Sequence, residues 1–153
     1  MKIICRYTVI LGLMFNLVGC NPVISPANPI KPDIASTPAL EYWQGENTYA
    51  PVIWAEEDVN GDSRQDTILI YQTASDKCMM CAISNTSQGF LISQSIKAPI
   101  ENQTISFKEI DEKPPTEIIV SGSKNGKIGY GILRLENDQL IDIFGDSMKD
   151  CCD

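Results

Sequence analysis

The chain has 153 residues, 12 basic against 20 acidic, for a net charge of -8, and contains no histidine. The missing imidazole excludes a Ser-His-Asp triad, a Cys-His pair, and His-based zinc or haem ligation. The acidic balance argues against nucleic acid or anionic headgroups as partners and suits a cation or a basic protein.

Residues Met1 to Cys20 read as an export signal. Lys2 and Arg6 form a positive n-region, and Val9 to Val18 is an apolar run broken only by Asn16. That run is too short for a permanent membrane span and fits an h-region. It ends in Leu17-Val18-Gly19-Cys20, which resembles the lipobox of bacterial lipoproteins. The resemblance implies cleavage before Cys20 and acylation of Cys20, palmitate being a usual chain. Several acyl chains anchor a protein stably where one binds only marginally. It also implies a cell-envelope location. Asn21, rather than Asp, follows the lipidated residue and points to the outer membrane of a Gram-negative cell, facing the periplasm. In a Gram-positive cell the anchor would be the outer face of the plasma membrane. Loss of residues 1–19 removes two basic residues and no acid, leaving 10 against 20 and a net charge of -10.

The following stretch to Leu40 carries Pro22, Pro26, Pro29, Pro32 and Pro38 with few large apolar residues. Proline at this density favours extended polyproline II and excludes helix. At about 3.1 Å per residue it makes a tether of up to roughly 60 Å. No convincing amphipathic helix follows, so the folded domain is expected over residues 41–153.

That domain reads as all-β. Strand-like runs rich in β-branched and aromatic residues cover 51–56, 67–73, 79–85, 89–95, 104–109, 117–121, 127–135 and 139–144. Turn residues separate them, as in Lys124-Asn125-Gly126 and Glu136-Asn137-Asp138. The eight runs fall into two fours at a period of 51 residues, which matches Asp66 with Glu117, Ile68 with Ile119, Gln88 with Gln139, Phe90 with Ile141 and Ile92 with Ile143. Such a period suggests propeller-blade or tandem-sheet architecture. Two blades cannot close a propeller. The expected fold is therefore two four-stranded antiparallel units packed face to face. Trp54, Ile68, Ile70, Phe90, Ile92, Phe107, Ile119, Leu133, Ile141 and Ile143 are the candidate core.

Between the first two runs lies Asp58-Val59-Asn60-Gly61-Asp62-Ser63-Arg64-Gln65-Asp66. Side-chain oxygens stand at positions 1, 3, 5 and 9 of this loop. Calcium takes six to eight oxygen ligands, and Asp58, Asn60, Asp62 and Asp66 with the carbonyl of Arg64 would wrap one ion. The first nine positions match an EF-hand loop, but position 6 is Ser63 and position 12 is Leu69 in place of the bidentate Glu. An Asx-rich turn without an ion is the alternative, since Asn, Gly, Asp and Ser all favour turns. Asp-Val-Asn-Gly-Asp-x-Arg-x-Asp running into a hydrophobic strand resembles the FG-GAP/VCBS repeats of integrin-like propellers. That resemblance implies one calcium held by Asp58, Asn60, Asp62, Arg64 and Asp66. Those repeats usually place Gly where Ser63 stands. In the second repeat, Lys113 replaces the donor at Asp62 and Ile110 takes the packing position of Val59, so one ion is expected, not two.

Cys5 leaves with the signal and Cys20 is lipidated, leaving Cys78, Cys81, Cys151 and Cys152. An even count in an exported chain reads as disulfides. Three pairings are possible. The two that tie Cys78 and Cys81 to the C-terminal pair are favoured, because a bond between the neighbours Cys151 and Cys152 is strained. A thioredoxin-like redox site lacks its βαβ context, and the oxidising compartment disfavours a four-Cys zinc site.

No catalytic residue is expected. The leading functional expectation is a lipid-anchored envelope protein, a non-catalytic binding or structural module with one calcium-stabilised loop. The alternative is a periplasmic inhibitor or immunity lipoprotein that blocks a basic cell-wall hydrolase. An enzyme using the acidic loop as a hydrolytic metal site is the third reading.

Overall fold

The computed structural model describes residues 36–110 and 114–144. They belong to one compact unit, Ala35–Asp153. Residues 1–35, with the signal, Cys20 and nearly all of the tether, lie outside the described residues, as do Cys151 and Cys152.

Among the described residues, nine strands and one helix make three layers. Sheet 1 runs β1 (Ala50–Glu57), β2 (Asp66–Ala74), β3 (Lys77–Thr86) and β4 (Gly89–Ile92), with β5 (Ile96–Ala98) also paired to β3. Sheet 2 runs β6 (Glu101–Lys108), β7 (Glu117–Lys124), β8 (Lys127–Glu136) and β9 (Gln139–Asp142). All pairings are antiparallel, so each sheet is a simple meander. Local chemistry sets the tight hairpins. Asn125 and Gly126 have φ 52° and 78°, and Asn137 and Asp138 have φ 49° and 59°. Two consecutive left-handed residues are what a twisted two-residue hairpin needs, and these residue types tolerate them.

The eight strand-like runs all form strands, and β5 is additional. The run expected over 89–95 breaks after Ile92. There the Ser93 amide donates to the Ala82 carbonyl at 2.9 Å, and its Oγ, in place of its carbonyl, accepts the Ala82 amide at 2.9 Å. The chain then resumes against the other half of β3.

The sheets stack in one sense rather than mirroring each other. Ile68 and Ile70 define the front of sheet 1, and Leu69 and Tyr71 its back. One repeat later, the corresponding front of sheet 2 carries Ile119 and Ser121, and its back carries Ile118 and Val120. The main core joins the front of sheet 1 (Ile68, Ile70, Met80, Ala82) to the back of sheet 2 (Ile118, Val120, Leu133, Leu140). Pro99 lies in the link between the sheets, directly over Gly122. A Cβ on Gly122 would fall 2.3 Å from the Pro99 Cβ and 2.8 Å from the Glu101 carbonyl, so only glycine admits this approach.

The back of sheet 1 is covered by α1 (Pro38–Glu46), which corrects the expectation of an extended tether through Leu40 and no later helix. Thr37 Oγ1 caps the helix by accepting the Leu40 amide at 3.3 Å, and Pro38 stands in the first turn. A proline there has no amide to waste and a φ already suited to helix. Ala39, Leu40 and Trp43 meet Leu69, Tyr71, Cys81 and Ile83 in a second core. Three inward residues in nine are too few for periodicity to reveal in a proline-rich stretch. The sheet supplies the missing burial.

A bulge between Gln72 and Ala74 shifts the repeat from 51 residues to 50 after β2. The matches of Gln88 with Gln139, Phe90 with Ile141 and Ile92 with Ile143 are therefore one residue out. Gly89 corresponds to Gln139, and Phe90 to Leu140. A one-residue slip exchanges the faces of a strand. Leu140 is buried, while Ile141 and Ile143 are exposed and Ile119 sits half-buried on the outer face. Those three leave the expected core. Ile68, Ile70 and Leu133 are fully buried, and Trp54, Phe90, Ile92 and Phe107 pack at the margins.

Trp43 is 1% exposed and fills the centre of the second core. Trp43→Ala is expected to cost about 3–5 kcal/mol in urea denaturation. Gln44→Ala, exposed on the same helix, is expected to cost under about 1 kcal/mol.

Candidate functional site

The loop joining β1 to β2 is wound by its own side chains. Asp58 Oδ1 accepts the amides of Gly61 and Asp62 at 2.7 and 3.1 Å, and its Oδ2 accepts that of Ser63 at 2.8 Å. Asn60 Oδ1 accepts the Asp62 amide at 2.9 Å, and Asp62 Oδ1 the Arg64 amide at 2.9 Å. These are Asx turns in series. The alternation at positions 1, 3 and 5 thus curls the backbone, as the sequence pattern requires. The Arg64 guanidinium pairs with Asp62 at 3.3 Å on the surface. Gly61 and Ser63 have φ 79° and 64°. Ser63 thus adopts the left-handed conformation that glycine would take more readily, at a cost of about 1 kcal/mol.

Val59 is fully buried beneath the loop, and Asp66 is fully buried at the start of β2. Asp66 Oδ2 accepts the Val59 amide at 3.3 Å. Its Oδ1 accepts the Asn85 amide at 3.0 Å and the Asn60 Nδ2 at 3.5 Å. One carboxylate therefore ties the loop to the end of β3. Burial pushes its carboxyl up to about 6, and the nearby charges of Asp62 and Asp58 push the same way against those amides.

Sheet 2 repeats this clasp with a different solution for the charge. Glu117, also fully buried, accepts the Ile110 amide at 2.9 Å, across the same seven-residue span. Arg134 reaches it from β8 and forms an ion pair. The guanidinium, then the Ile110 amide, hold the Glu117 carboxyl below its ordinary value despite burial. In β3 the place of Arg134 is taken by Ser84. Among the described residues, no lysine or arginine pairs with Asp66. One further correspondence differs from expectation. Ile110 takes the amide role of Val59 but not its packing, being 45% exposed. Lys113 lies outside the described residues.

The donor set suits a hard cation: three carboxylates and one amide oxygen within nine residues, with no sulfur or imidazole. The conformation shown turns the Asp58 and Asp62 oxygens onto loop amides, and among the described residues no three acidic, Cys or His side chains converge as a formed metal group. Asp58 Oδ1 and Asp66 Oδ1 each accept two bonds, whereas Asp58 Oδ2, Asp66 Oδ2 and both Asp62 oxygens accept one each and keep a second lone pair.

Cys78 and Cys81 point to opposite faces of β3: Cys78 lies between the sheets and Cys81 under α1. Burial raises both thiols, that of Cys81 to about 12. Reactive redox thiols are instead held low. The Cys-Met-Met-Cys run therefore forms neither a redox pair nor half of one zinc site. The expected bonds to Cys151 and Cys152 involve residues outside those described.

Compared with family models, curated proteins and solved structures, the chain finds no match in any of the three.

Two outcomes follow from the clasps. Ser63→Gly is expected to raise stability by about 1 kcal/mol in urea denaturation, by relieving the left-handed serine. Arg134→Met leaves Glu117 buried without its partner and is expected to cost about 3 kcal/mol at pH 7. The Glu117 carboxyl is lowered on folding, so its contribution is full above the ordinary value of 4.5 and fades as pH falls through the lower folded value. Denaturation from pH 7 to pH 3 should show this loss in the parent. In the variant the Ile110 amide still outweighs burial, so the loss should keep its sign and become smaller.

Proposed function

We propose that this chain is a membrane-anchored envelope lipoprotein, a non-catalytic binding or structural module whose β1–β2 loop takes one calcium ion. The lipobox likeness of Leu17-Val18-Gly19-Cys20 supports the anchor. The contrast between Asp66 and Glu117 carries the ion site. Both are buried carboxylates, each holding an amide seven residues back, and among the described residues only Glu117 has a cation paired with it. At the first site two more carboxylates crowd the position instead. Asp58, Asn60, Asp62 and Asp66, with the Arg64 carbonyl, are the proposed ligands. A divalent cation bound there would supply the charge that Arg134 supplies in sheet 2. The chain's own residues fix the bend, exclude water from Asp66 and connect the loop to β3 through Asn85.

Titration calorimetry of residues 35–153 with Ca²⁺ tests the reading. A single-site heat is expected, with stabilisation of about 2.7 kcal/mol at a hundredfold excess over the dissociation constant. Asp58→Asn combined with Asp62→Asn should abolish the heat, and Glu117→Gln should leave it intact. No heat and no melting shift at millimolar Ca²⁺ would sink the proposed site.

A further inference from the structure

Among the described residues, no other element packs over the front of sheet 2, the counterpart of the best-buried face in the domain. Strand pairing places Ile119 beside Ile132, Ser121 beside Tyr130, Ser123 beside Ile128, and Arg134 beside Ile141 on this one side. Ile143 joins them by donating its amide hydrogen bond to the Ile132 carbonyl at 2.9 Å, and the Phe144 and Tyr130 ring centroids lie 6.3 Å apart. Ile128 is 86% exposed and Phe144 60%, with Tyr130, Ile141 and Ile143 each near two-fifths. Isolated apolar residues on a surface need no explanation, but a contiguous sheet face of them does.

We propose that this face is a two-fold interface with a second copy of the chain, sheet 2 against sheet 2. The molecule itself shows what covers such a face. The front of sheet 1, one repeat earlier, is covered by another four-stranded sheet of the same fold. Among the described residues, a second copy has a single layer face left to offer. Its sheet 1 front is filled by sheet 2, and its sheet 1 back by α1 with Trp43. Head-to-tail stacking is therefore blocked, and the self-matching arrangement remains.

Charge permits it. The chain carries -8 overall, which opposes self-association in general. Yet among the described residues the centre of this face holds no uncompensated acid. Glu117 is buried against Arg134, and Glu101 and Glu136 stand at strand ends. Hydroxyls of Thr104 and Ser121, 2.7 Å apart, form part of the margin. An apolar centre with a polar rim is the ordinary anatomy of an interface.

Area sets the strength. Four strands about 4.8 Å apart and eight residues at about 3.3 Å rise give a face of roughly 20 by 25 Å. Two such faces bury on the order of 1,000 Å² in total, near the lower bound for a specific contact, so a dimer forming in the micromolar range is expected.

All the described core residues lie within 39–140, so residues 35–153 are the unit to test. Sedimentation equilibrium from about 1 to 300 μM, with calcium and with chelator, should show a monomer–dimer equilibrium in both conditions, because the interface does not involve the Asp58 loop. Ile141→Lys with Ile143→Lys should shift the equilibrium to monomer by at least tenfold, with unchanged circular dichroism and melting. Leu91→Lys, exposed on sheet 1, should leave it unchanged. A parent chain that stays monomeric throughout would overturn the proposal. So would a dimer indifferent to the double lysine variant. Dimerisation that appears only after removal of residues 145–153 would overturn it too, by showing that the chain covers this face itself.

Discussion

Burial of β2 and β3 on both faces is the constraint on which the rest of this domain depends. Six consecutive residues of β2, Asp66 to Tyr71, are buried, and Met80 to Ile83 of β3 run the same way. A strand in a two-layer sandwich alternates, because one side meets water. Here alternate residues enter different cores. Ile68 and Ile70 meet sheet 2, and Leu69 and Tyr71 meet α1. Neither cover is dispensable: without the helix, Leu69, Tyr71, Cys81 and Ile83 would face solvent.

The same constraint positions the loop. Because β2 is central, its first residue is already out of water, and that residue is Asp66. A carboxylate so placed must find hydrogen bonds and charge, since an isolated buried ion is costly. The fold meets the first need in both repeats in the same way, with an amide seven residues back. It meets the second only in sheet 2, through Arg134. Divergence at one position in the third strand of each repeat, Ser84 against Arg134, separates a buried carboxylate with no cationic partner among the described residues from one that has it.

One-sense stacking explains why the ends of the stack differ. A repeat with two dissimilar faces, front and back, always leaves one of each at its ends. The back of sheet 1 is finished by nine residues of helix. The front of sheet 2 ends in isoleucines and aromatics. A face-to-face sandwich related by a two-fold axis would have left no such remainder, and the proposed pairing of two copies restores that symmetry at the level of the assembly.

The amino-acid sequence alone determined the strands, the repeat and the curl of the loop, because these arise from local terms: β-branched runs, turn residues with positive φ, and Asx side chains folding back on their own amides. Asp66 and Glu117 were matched from spacing alone, and the structure places them in equivalent clasps. Tertiary structure decided what spacing could not. The bulge after Gln72 changed a period of 51 to 50, and so chose Leu140 over Ile141 for the core. Arg134 lies 17 residues from Glu117, so no local pattern joined them. Pro38 read as tether by composition and became a helix start, because the exposed back of sheet 1 offered Trp43 more burial than a polyproline arm ever could.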